Sequence, residues 1–234
     1  MEFRPYHRFE NNFKLERLVN KLRKSGHIPD GVCENFFRYH QGMTQKLHAA
    51  KYNIDRLNGK LTNPEMMEAA DTTGDFMFET NMFVDGFFYN SGSSLDILAR
   101  IVLTLFGIAL PNRVYFETAF NKLTSVRPGD PILPKLRHPV WRPLFLDYRN
   151  TQTHEVILLS RIHIDIENFG NEQIRKIVFP LPDNPRVLPR IRTFEQNPDV
   201  IKYITQQFTR ILSIANTVYG DIYSRGRISG AFPI

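Results

Sequence analysis

One stretch constrains this chain more than any other. From about residue 31 to 58, Val32, Phe36, Tyr39, Met43, Leu47, Ala50, Ile54 and Leu57 recur every three or four positions, with charged and amide residues filling most of the gaps. Apolar residues at that spacing return to one side of an α-helix at each turn, so the stretch predicts one long amphipathic helix. In a strand the same residues would alternate between two faces and expose half of the stripe. A long helix with a single apolar stripe must be covered by other helices, which points to a helical bundle.

The remaining pattern agrees. A helix is expected over 12–25, where Leu15, Leu18, Val19 and Leu22 share a face and Gly26 stops it. Asn63-Pro64 ends the long helix and opens a helical turn through "PEMMEAA". Residues 74–107 are the most apolar and read either as one helix kinked at Gly92 or as two helices. A shorter helix over 112–125 precedes the loop "RPGDPILPKLRHP", and another covers 139–154, with Pro143 tolerated in its opening turn. After His154 the period changes. "EVILLSRIHIDIE", the turn "NFGNE" and "IRKIVFPL" predict a β-hairpin near 155–181. The irregular, arginine-bearing "PLPDNPRVLPRIRTFEQNP" then leads into a last helix over 198–224. The expected fold is all-α: an antiparallel helical bundle with a small added hairpin, as a single domain over 1–234 with an N-terminal helical extension.

Composition narrows the function classes. A formal net charge of +6 favours anionic partners such as RNA or nucleotides. The single cysteine, Cys33, rules out an intramolecular disulfide and points to a reducing compartment. "LDILARIVLTLFGIAL" carries Asp96 and Arg100 and is too short for a clean membrane span, and "MEFRPYHRFE" is unlike a signal segment. A cytoplasmic protein without a membrane partner is expected.

Several chemistries lack their residues. "GMTQKL" and "SGSSLD" do not have the spacing of a phosphate-cradling loop, and "SGSSLD" is not a nucleophile elbow. There is no H-E-x-x-H and no cysteine pair. His163, Asp165 and Glu167 in "RIHIDIE" fall on one side of the expected strand, where a solvated face is the simpler reading than a metal site. No cofactor or metal is expected.

The chemistry that remains is in "LFLDYRNTQTHEVILLS", where Arg149, Asn150 and His154 stand close together. Histidine exchanges protons near neutral pH, and arginine offers a permanently charged fork that matches phosphate oxygens. The combination suits cleavage of an RNA phosphodiester by its own 2′-hydroxyl without a metal. On a continuous helix, Asn150 and His154 share a face, whereas Arg149 lies about 140° round from His154. A helix ending inside "NTQTH" would relax that separation.

Arg149-Asn150…His154 resembles the R-x4–6-H motif of the HEPN superfamily, including the asparagine that commonly follows the arginine. "SSLDILARIV", with Asp96, looks like the helix that faces the motif in that superfamily. The resemblance implies a HEPN-like fold and a metal-independent endoribonuclease of toxin or defence type. His154 would be its general acid–base, Arg149 its phosphate clamp, Asn150 the orienting group and Asp96 the support. It further implies a homodimer and a cognate antitoxin or regulatory protein. Val156 stands where some relatives carry a tyrosine that accepts a nucleotide, so that form of control is not expected here. Arg142, Arg190 and Arg192 are candidate substrate-binding positions beside the motif. The alternative is a HEPN-like module that binds a nucleotide, RNA or protein without catalysis.

Overall fold

The computed structural model describes residues 11–62, 74–137, 139–154, 158, 163–169, 172–195 and 199–229. In chain order they form α1 (Asn11–Lys24), α2 (Asp30–Thr62), α3 (Gly74–Leu105), α4 (Phe116–Val126), α5 (Leu133–Leu136), α6 (Arg142–His154), β1 (His163–Phe169), β2 (Glu172–Val178) and α7 (Val200–Ser229). The molecule is mostly helical, as the apolar spacing requires. Phe36, Met43, Leu47, Ala50, Ile54 and Leu57 of the α2 stripe are buried. The expected turn through "PEMMEAA" lies outside the described residues.

Two helices stop by the same device. Gly26 after α1 and Gly107 after α3 have φ of 71° and 67°. These left-handed positions let His27 N–H reach Leu22 O at 2.9 Å and Ile108 N–H reach Leu103 O at 2.9 Å. Between its ends α3 runs without interruption through Gly92, so the alternative of two helices does not hold. One element was hidden in the sequence. The proline-rich loop contains α5, opened by Asp130 Oδ1, which accepts from Ile132 N–H at 2.9 Å and pairs with Arg225 Nη1 at 2.6 Å. Proline is compatible with a first helical turn, so Pro134 does not prevent it.

β1 and β2 pair antiparallel, from His163 opposite Val178 to Phe169 opposite Glu172. The residues joining them, and the side chains of 163–176, lie outside the described residues.

Internal contacts divide the chain into two compact units, with boundaries inside α2, α3 and α7. The first comprises 1–48, 93–139 and 209–234; the second comprises 49–92 and 140–208. In the first, Leu15, Val19, Phe36, Met43, Leu98, Val102, Leu123 and Tyr219 are buried. The second is built round aromatic rings. Phe88 lies 5.5 Å from Phe145, 6.2 Å from Tyr148 and 6.4 Å from Tyr203, and Phe76 stacks on Phe179 at 6.2 Å.

Candidate functional site around α6

The motif lies in the second unit, and α6 positions it. Phe145, Tyr148 and Thr151 recur at three-residue steps and are buried, which fixes the rotation of the helix. Tyr148 donates its hydroxyl proton to Pro182 O at 2.6 Å. Arg186 pairs with Asp147, one residue before that tyrosine. The proline-rich connection is thereby fastened along α6. It is also braced internally: Arg192 donates from Nε to Val187 O at 3.2 Å and from Nη2 to Pro185 O at 3.2 Å.

That rotation leaves Asn150 exposed and Arg149 half-buried. The Arg149 side chain crosses α3 at Gly92. A Cβ there would fall 2.7 Å from Arg149 Nε and 2.8 Å from its Cδ, so any larger residue would displace the arginine. Gly92, a candidate kink by sequence, is a seat for Arg149. Since α6 continues to His154, as the helix expected over 139–154 does, positions 149 and 154 remain about 140° apart. The His154 side chain itself lies outside the described residues.

The other expected site residues fall in different settings. Asp96 belongs to the first unit, where its Oδ1 accepts from Phe116 N–H at 3.0 Å and caps the start of α4. Arg142 and Arg192 are buried, so both guanidinium groups face the interior, and the Arg192 bonds assign it to holding its own loop. Arg190 is exposed on the short helical turn Pro189–Ile191. The side chains of His163, Asp165 and Glu167 lie outside the described residues, and no cluster of metal-ligating groups occurs among the described ones.

Two features belong to the first unit. A cleft of about 670 Å³ is lined by Glu117, Phe120, Asn121, Leu133, Pro134 and Arg137, and it contains none of the expected site residues. Buried Tyr219 shares a 3.0 Å hydrogen bond with His40 Nδ1, the tautomer deciding which group donates. Burial lowers the His40 pKa below its ordinary value, with Glu16 acting more weakly in the opposite direction. Burial likewise raises the Tyr219 pKa. The Cys33 thiol is buried and its pKa is pushed up by desolvation, which argues against a nucleophile.

Set against known family models, curated proteins and solved structures, the chain matches none. The sequence had not exposed the pairing of Gly92 with Arg149. A glycine inside an apolar helix was the available signal, but only the docking of α6 shows what occupies the space above it.

Proposed function

We propose that this chain is a HEPN-like helical protein that acts on RNA as a metal-independent endoribonuclease. The observation that supports this reading is the unbroken α6, which carries Arg149, Asn150 and His154 together and leaves Asn150 exposed on the face it shares with position 154. His154 would accept the proton of an RNA 2′-hydroxyl as its oxygen attacks the adjacent phosphorus. A proton then passes to the departing 5′-oxygen, leaving a 2′,3′-cyclic phosphate and a 5′-hydroxyl end. Arg149, held over Gly92, would steady the charge of the five-coordinate phosphorus, and Asn150 would orient the imidazole. A homodimer would supply a second motif, and a cognate antitoxin or regulatory protein would restrain the activity.

A second reading has its own observation. Arg149 is half-buried and lies about 140° round the helix from position 154, an arrangement that suits an RNA- or nucleotide-binding module without catalysis. Incubation of the full chain with single-stranded RNA in EDTA separates the two. Cleavage by the parent that falls at least about 100-fold in His154→Ala supports the nuclease. Binding without cleavage supports the module, and equal cleavage by parent and His154→Ala overturns the catalytic assignment.

A further inference from the structure

Four large apolar side chains of the second unit stand more than half exposed: Tyr52 at 53%, Phe78 at 63%, Met82 at 56% and Tyr89 at 51%. Helix geometry places them together. Asn53 of α2 sits against Gly86 of α3, where a Cβ would fall 2.8 Å from its amide, and Lys60 pairs with Glu79. These contacts fix an antiparallel register, since the residue number rises on one helix as it falls on the other. Taking Gly86 as the direction in which α3 faces α2, Gly92 and the Arg149 above it lie about 120° round the helix. Met82, Tyr89 and Phe78 lie about 40°, 60° and 80° round in the same sense, between the two neighbours. Equal offsets on antiparallel helices fall on the same side of the pair, so Tyr52 and Arg56 of α2 border this strip. Arg149 borders its other edge.

We infer that this face is a binding platform for single-stranded RNA. It rests on the reading of RNA as the ligand but not on cleavage. Tyr52, Tyr89 and Phe78 offer exposed rings on which bases can stack, fixed on helices and so ordered before binding. The Arg56 guanidinium already lies over the Tyr52 ring at 5.9 Å, and with Arg149 it flanks the strip with two permanent cations suited to phosphates. The two arginines at the borders favour a nucleic-acid strand over a second copy of the chain, which would bring Arg56 and Arg149 against more apolar surface.

The test uses the full chain carrying His154→Ala, so that binding is read without cleavage, and a fluorescein-labelled twelve-nucleotide oligouridylate followed by anisotropy. Tyr52→Ala and Tyr89→Ala should each weaken binding about five- to 100-fold. Tyr115→Ala, an equally exposed tyrosine in the first unit, should leave the Kd unchanged. Arg56→Ala should reduce the slope of log Kd against log salt by about 0.7. Unchanged affinity in both platform tyrosine variants overturns the proposal. So does a fall in molar mass by light scattering in Phe78→Glu with RNA affinity retained, because the face would then be covered by a second copy. Binding that depends on the platform tyrosines, by a parent that cleaves nothing, would refute the nuclease and leave the platform intact. Cleavage indifferent to these tyrosines would do the reverse.

Discussion

Each unit buries a tyrosine completely, and the two differ in what satisfies the hydroxyl. Tyr148 of the second unit donates to the backbone carbonyl of Pro182, a group that never titrates. Tyr219 of the first shares its hydrogen bond with His40, a group that titrates, its pKa lowered by burial. The first arrangement fastens a loop along α6. The second makes the packing of α1, α2 and α7 residues sensitive to protons. The units therefore meet the same requirement, a partner for a buried O–H, with opposite consequences for pH dependence.

The largest effect that would sharpen this contrast is Phe88→Ala. Removing the ring at the centre of Phe145, Tyr148 and Tyr203 should destabilise the protein by about 3–5 kcal/mol in urea unfolding. A loss below about 1 kcal/mol, the range of a weakly packed surface site, would show that the aromatic cluster does not hold the second unit together. Next in size, Tyr148→Phe leaves the Pro182 carbonyl without that donor and should cost about 1–2 kcal/mol, equally at pH 5.5 and pH 7.5. It should also hasten proteolytic cutting within 182–195, the segment whose fastening it removes. A pH-dependent loss would break the distinction between the two tyrosines.

The smallest effect is expected at His40. Its folded-state pKa lies below the ordinary value of 6.5, so below that pH the unfolded chain binds more protons than the folded one. Its contribution to stability is present above about pH 6.5 and is lost as the pH falls towards the depressed value. The melting temperature should decline between pH 7.5 and pH 5.5, and His40→Gln should flatten that decline. An identical decline in the variant would place the pH dependence elsewhere.

How much of this was legible depended on how local each cause was. The α2 stripe, the stop at Gly26 and the helix reaching His154 follow from spacing and backbone preference within one segment. The short α5 escaped because proline suggested a loop, whereas its start depends on Asp130 reaching both Ile132 N–H and a distant arginine. Arg142 and Arg192 read as surface charge because sequence carries no burial, and a proline-rich segment ordinarily lies exposed. Asp96 was read as facing the motif by resemblance, and its bond from Phe116 N–H depends on where α4 begins, which lies 20 residues further along the chain.

By itself the sequence determined the helical class, the long α2 helix and the composition of the motif, because periodicity and caps act over a few residues, while it left 74–107 open between one helix and two. Only the tertiary structure decided that Gly92 seats Arg149, that two arginines turn inward, and that exposed rings of α2 and α3 share one face. Those outcomes depend on the register and rotation of helices far apart in the chain, which are set by packing against one another.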